Sequence, residues 1–273
     1  MADKSERQLR KYLCRQLDRA ILGLVRAHYD PVRGVHASRR ALKQARTVLR
    51  IVKPEMGGVA SAASMLCRDV GRKLSASRDI QVIYQTWSDV CREHKVDAGV
   101  AKTIADALED QHSAVAREIG ELDSLAVQIS LLQDQLMAAW AVDQAGSLYQ
   151  RRLARFADNT LKHWAEAQSS DDWASLHEVR KQAKDWMHAL RVVRASWNDT
   201  DRQLHQQLVE FTEALGQVND ASVLLHWLEH QAPSTLPKQA LAMDYVDRYR
   251  GQILERARDI AGAFGAPLKH GKG

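Results

Sequence analysis

Two stretches of the chain carry the same chemistry-bearing pattern. Val35-His36-Ala37-Ser38-Arg39-Arg40-Ala41-Leu42-Lys43 runs on to Arg46 and Arg50, and Leu176-His177-Glu178-Val179-Arg180-Lys181-Gln182-Ala183-Lys184 runs on to Arg191. Cations recurring every three or four residues share one face of a helix. Lys and Arg keep their charge at cellular pH, and Arg grips phosphate oxygens in a fork. A row of them therefore suits a polyanion. Residues 35–53 hold six Lys/Arg and no Asp/Glu, whereas a merely solvated face mixes signs for pairing along the helix.

On a helical wheel with Val35 at zero, Arg39, Lys43, Arg46 and Arg50 fall between about 20° and 80°, and His36 at about 100°. Val35, Leu42, Ala45, Val48, Leu49 and Val52 fill the arc from about 220° round to zero. The cations thus flank the apolar stripe instead of standing opposite it. That position predicts a groove lined with positive potential between helices. The second stretch repeats the layout with Arg180, Lys184 and Arg191, but Met187 stands where the first has Arg46, and Glu178 and Asp185 bring acids onto its helix.

Histidines and carboxylates raise other chemistry. His36 and His177 each open a helix without neighbouring ligands, so they are expected to hydrogen-bond and not to hold a metal. Asp79 and Asp220 are expected to pair a cation or histidine of the preceding helix and so orient the stripe. His226 and His230 have the i, i+4 spacing that can hold zinc, but no third histidine or carboxylate stands at a recognisable spacing, and no metal site is expected. No nucleotide-binding glycine loop, HExxH or GxSxG occurs. The seven tryptophans are scattered away from the basic stripes, which predicts core packing and not base stacking.

Helices carry all of these residues. Only five prolines and fourteen glycines punctuate 273 residues. Apolar periodicity predicts helices over about 5–28, 35–52, 59–94, 97–140 (parting near Gly120–Asp123), 144–168, 173–196, 200–230 and 237–263. Asp30-Pro31, Pro54 with Gly57-Gly58, and Asn198 supply the breaks. Residues 264–273 have the composition of a disordered tail. No apolar run reaches the roughly 18 residues of a membrane span. The N-terminus lacks a signal-peptide core, and three separated cysteines fit a reducing compartment; a cytoplasmic protein without a membrane partner is expected. The net charge is +5.

The stripes, the pairs Arg78-Asp79 and Asn219-Asp220, and the pairs Arg10-Lys11 and Arg151-Arg152 all recur at one offset, 177 − 36 = 220 − 79 = 151 − 10 = 141. A constant offset predicts two tandem copies of one helical unit, about 5–142 and 143–263. Residues 5–94 are expected to superpose on 146–230.

His36-x-x-Arg39-x-x-x-Lys43-x-x-Arg46 with Ser77-Arg78-Asp79, and His177-x-x-Arg180-Lys181-x-x-Lys184 with Leu215-Gly216-x-x-Asn219-Asp220, resemble the CHAD family, the conserved histidine α-helical domain. The resemblance covers about residues 5–263. It implies a single all-α domain of two four-helix-bundle repeats, related by pseudo-two-fold symmetry around a basic central groove. It implies binding of inorganic polyphosphate, with some members at polyphosphate granules, and neither an enzyme nor a cofactor. Arg39, Lys43, Arg46 and Arg50, with Arg180, Lys184 and Arg191, are then the main phosphate contacts. His36, Arg40, His177 and Lys181 belong to the same helices, Arg10, Lys11, Arg151 and Arg152 are rim candidates from the first helix of each copy, and Arg78 is a further candidate. A helical module for nucleic acid or an acidic protein, and a metal-dependent phosphohydrolase built on the histidines, are the alternatives.

Overall fold

The computed structural model describes residues 4–74, 79–115, 121–170, 173–230, 232 and 236–264. The described residues are mostly helical, joined by short turns, with no strand among them. The helices are α1 (Lys4–Ala27), α2 (Pro31–Lys73), α3 (Asp79–His94), α4 (Ala98–Val115), α5 (Leu122–Ala138), α6 (Ala145–Ser170), α7 (Trp173–Val192), α8 (Asp199–His230) and α9 (Gln239–Phe264), with a 3₁₀ turn at Arg194–Ser196. The all-α expectation holds. The tail from 265 onward lies outside the described residues.

Local chemistry sets the boundaries. At the start of α2, Asp30 accepts from the Arg33 backbone N–H at 3.1 Å, and Pro31 occupies the first turn, where its missing N–H costs nothing. At the start of α8, Asn198 and Asp201 cap each other: Asp201 N donates to Asn198 Oδ1 at 2.8 Å, and Asn198 N donates to Asp201 Oδ2 at 3.1 Å. This reciprocal exchange is a capping box in all but residue type.

Within α2, Gly57 takes φ 50°, ψ −121°, a conformation that side chains with a Cβ avoid. Thirty-two residues of straight helix would be about 48 Å long. Yet Arg39 Nη1 donates to the backbone oxygen of Gly71, 32 positions on. The chain therefore folds back at Gly57, and α2 is two limbs laid side by side, as Pro54 and Gly57-Gly58 predict. The single helix expected over 59–94 is a correction: the second limb ends at Lys73 and α3 starts at Asp79.

The chain forms two compact units of interleaved segments. The first contains Met1–Ala76, Ile119–Asp158 and Asp185–Arg202; the second contains Ser77–Glu118, Asn159–Lys184 and Gln203–Gly273. In the first, α1 packs on α2 and α5. Leu9, Leu13, Leu17, Ala20 and Leu24 of α1 bury with Leu42, Ala45, Val48, Leu49 and Val52 of α2, the apolar arc of the wheel. Helices α1 and α2 approach closely where both carry glycine: a Cβ on Gly34 would stand 2.4 Å from the Ala27 backbone nitrogen. In the second unit, α3, α4 and α9 pack on one another. Trp87, Trp227, Phe211 and Tyr249 are among its buried side chains. Trp164 meets Phe211 edge-on at 5.2 Å. The tryptophan expectation holds for Trp87, Trp164, Trp186 and Trp227; Trp173, at the start of α7, is exposed.

Candidate polyanion site

The first unit gathers cations from three helices. The first limb of α2 supplies Arg39, Arg40, Lys43, Arg46 and Arg50, the start of α6 supplies Arg151 and Arg152, and the end of α7 supplies Arg191. Lys43 and Arg40 are exposed, while Arg39, Arg46 and Arg50 are half-buried. The wheel explains this: the row borders the apolar arc, so its members lean over the core edge with their stems packed.

Arg46 stands over the second limb of α2. Burial holds its pKa below the usual guanidinium value, with the neighbouring charge of Arg50 acting the same way and Asp185 opposing. Its Nε is buried with no hydrogen-bond partner. Arg50 is held differently. Asp185 accepts from both Arg50 Nη1 and Nη2, the latter at 2.5 Å, and Thr47 Oγ1 donates to the same carboxylate at 3.3 Å. Burial pushes the Asp185 carboxyl up, and the Arg50 charge pulls it back.

Phe156 carries two of the cations. The Arg50 and Arg152 guanidiniums each lie 5.9 Å from its ring centroid. Burial lowers the Arg152 pKa, and the charges of Arg155 and Arg50 add to it. Arg191 is also lowered, by burial first and by Arg40 next. Burial first, and neighbouring like charge second, lower all three of Arg46, Arg152 and Arg191, as expected for cations crowded at a core edge. Tyr12 borders this group and donates to Gln44 Oε1 at 2.9 Å. Burial raises its phenol pKa, and Arg191, Arg19, Arg40 and Arg15 oppose.

The second unit holds the remaining stripe. His177 Nδ1 lies 2.7 Å from Asn219 Oδ1, and Asn219 Nδ2 donates to Asp220 Oδ1 at 3.1 Å. The histidine is thus tied to α8 through Asn219, with Asp220 one step behind it. Arg180 lies flat on Gly216: a Cβ there would meet its Nε at 3.4 Å and Nη2 at 3.5 Å. Lys181 is taken up by its own helix, donating to Glu178 Oε2 at 2.5 Å. Lys184 is half-buried on α7.

Other sequence candidates fall elsewhere or outside. Arg10 turns towards α5, with Nε 3.5 Å from Met137 Sδ; Lys11 and Arg151 are exposed. His36 is exposed at the head of α2. Arg78 and the side chain of Asp79 lie outside the described residues. Three contributors were missed by sequence reasoning: Asp185 as the partner of Arg50, Phe156 as the ring beneath two guanidiniums, and Gly216 as the floor under Arg180. A signal existed for the first. At the 141-residue offset Asp185 corresponds to Gln44, a polar position bordering the apolar arc on the side away from the basic row.

An all-helical fold that presents a histidine-headed basic row on α2 and again on α7 defines a class. The chain belongs to the CHAD family, matching the CHAD domain over residues 8–229. Its fold is similar to that of the CHAD domain from the plant Ricinus communis, at 20% identity and TM-score 0.69, covering 97% of this chain and 94% of that one. It is also similar to PptA from Streptomyces chartreusis, at 18% identity and TM-score 0.66, covering 93% and 96%. No curated protein matches the sequence. Among the described residues no helix is long and apolar enough to cross a membrane.

Proposed function

We propose that this protein is a binding module, not an enzyme, and that its ligand is inorganic polyphosphate. The observation that carries the proposal is the surplus of positive charge on the first limb of α2. Arg46 and Arg50 stand one turn apart at the core edge, and the carboxylate that answers them, Asp185, is bonded to Arg50. Gathering guanidiniums at a partly buried edge costs stability through mutual repulsion, which an external polyanion relieves. From Arg39 to Arg50 the row is about 16 Å long, which suits a linear chain of phosphates better than a single one. Arg39, Lys43 and Arg46 are the leading contacts, with Arg180, Lys184 and Arg191 as the further set and Arg50 as the member held in place by Asp185. Membership of the CHAD family supports the choice of polyphosphate, and recruitment to polyphosphate granules follows as the cellular outcome.

The test is a titration of the protein with polyphosphate of defined length, beside RNA and heparin at matched charge. Lys43→Gln/Arg46→Gln is expected to remove most polyphosphate binding with the helical circular-dichroism signal unchanged. Lys102→Gln/Arg248→Gln, exposed cations paired within their own helices, should bind as the parent does. Equal losses in the two variants would reduce the site to overall charge. Tighter binding of RNA than of polyphosphate would favour a nucleic-acid module.

A further inference from the structure

The end of α8 carries a cluster that the basic stripes do not use. His226, Glu229 and His230 are exposed there, and their potential ligand atoms all lie within 4.8 Å of one another. The two imidazole rings are 4.6 Å apart and inclined by 65°. Glu229 Oε2 approaches His230 Nε2 at 3.6 Å. Among the described residues this is the group of histidine, cysteine and carboxylate side chains so placed. The i, i+4 histidines alone offer two ligands; Glu229, three residues after His226, makes the third, which corrects the expectation that no carboxylate stands at a usable spacing.

We propose that His226, Glu229 and His230 bind one divalent transition-metal ion, zinc first. Two imidazoles and a carboxylate are a borderline donor set, matched to zinc, nickel or copper and poorly matched to magnesium or calcium, which want oxygen. Written along the chain the group is His-x-x-Glu-His, an order in which helices present two imidazoles to zinc. Tetrahedral zinc with bonds of roughly 2.0–2.1 Å needs ligand atoms about 3.3 Å apart. Closing from the present separation takes only side-chain rotation, and the exposure of all three leaves those rotations free. The backbone beneath is fixed: Trp227 and Leu228, between the ligands, are buried to 1% and 0% exposure. The site also occupies the last turn of α8, which ends at His230, where the negative end of the helix dipole favours a cation. Three protein ligands leave one position for water or an oxygen of a bound anion.

The experiment is equilibrium dialysis of untagged full-length protein against zinc alone, repeated with cobalt to read the visible d–d spectrum. One equivalent of zinc per chain is expected. His226→Ala and His230→Ala should each weaken binding by about tenfold or more, equivalent to about 1.4 kcal/mol, and Glu229→Gln by less. Tetrahedral cobalt bands should vanish in His226→Ala/His230→Ala, and millimolar magnesium should not displace zinc. All three side chains are exposed, so the variants are expected to fold, as circular dichroism will verify. Absence of a zinc equivalent in the parent would overturn the proposal. So would a zinc equivalent retained in the double variant, because the metal would then sit elsewhere.

Discussion

Asp185 on α7 clasps the Arg50 guanidinium on α2 through both terminal nitrogens, joining positions 135 residues apart inside the first unit. Thr47 steadies the same carboxylate. The pair divides the basic row. Arg50 is neutralised within the protein, and Arg46, one turn earlier, feels Asp185 only at a distance. Removing one member of a buried pair costs about 3–5 kcal/mol. Arg50 keeps a third of its surface in solvent, so Asp185→Ala is expected to cost about 2–3 kcal/mol, short of the fully buried case. Denaturant unfolding reads that loss. Polyphosphate affinity should stay level or rise, since an acid has left the row; a fall in affinity parallel to stability would show that the pair shapes the binding surface as well.

Arg180 depends on the absence of a side chain at Gly216. Gly216→Ala places a methyl in ordinary contact with the guanidinium and should be tolerated. Gly216→Leu must displace Arg180, and its polyphosphate affinity should match that of Arg180→Gln. Parent-like binding by Gly216→Leu would remove Arg180 from the ligand set.

The crossing of α1 and α2 requires backbone contact. A Cβ on Gly34 would lie 2.5 Å from Ala27 Cα, and one on Gly23 would lie 2.6 Å from Ser38 N. Backbone cannot rotate aside, so Gly34→Ala is expected to lose about 3 kcal/mol, the upper range for overpacking. A Cβ on Gly251 of α9 would meet nothing within 4 Å beyond its own helix, and Gly251→Ala should gain about 0.5–1 kcal/mol. Thermal melts of the two variants check both signs.

Alkaline pH should destabilise the protein through the buried Cys67 thiol, the half-buried Cys91 thiol and the buried Tyr249 phenol. Burial pushes the Cys67 thiol up to about 12, Cys91 to about 11 and Tyr249 to about 12. Each group holds its proton more tightly folded than unfolded, where thiols titrate at about 8.5 and phenols at about 10. Their contribution is therefore complete below about pH 8.5 and is lost as pH rises towards about 11–12. Stability measured from pH 7 to 11 should fall on that limb, and less steeply in Cys67→Ala. In the native protein at neutral pH, Cys67 should resist thiol reagents that modify it after denaturation.

Salt reports how many phosphates the row neutralises. By analogy with single-stranded nucleic acid, log K should fall against log salt with a slope of about −0.7 per phosphate. Lys43→Gln/Arg46→Gln should flatten that slope. Orthophosphate should bind poorly, because it reaches too few of the cations. An unchanged slope in the variant would place the phosphates off the α2 row.

Much of this molecule is written locally. Apolar residues at three- and four-residue spacing, Asp30 with Pro31, Pro54 with Gly57 and the Asn198 cap are signals acting within a turn or two. Helicity, and the points where most helices start or turn, therefore follow from the order of residues. The wheel likewise placed Arg39, Lys43, Arg46 and Arg50 beside the apolar arc, because a side chain's bearing on a helix depends only on its position. The end of α2 at Lys73 was not legible, since the apolar period continues past it. Which charges meet was settled only by packing. Asp185 and Arg50 approach through the packing of helices far apart in the chain, and Gly216 lies under Arg180 for the same reason. Electrostatic pairing depends on distance and burial, and both arise only once the helices have packed.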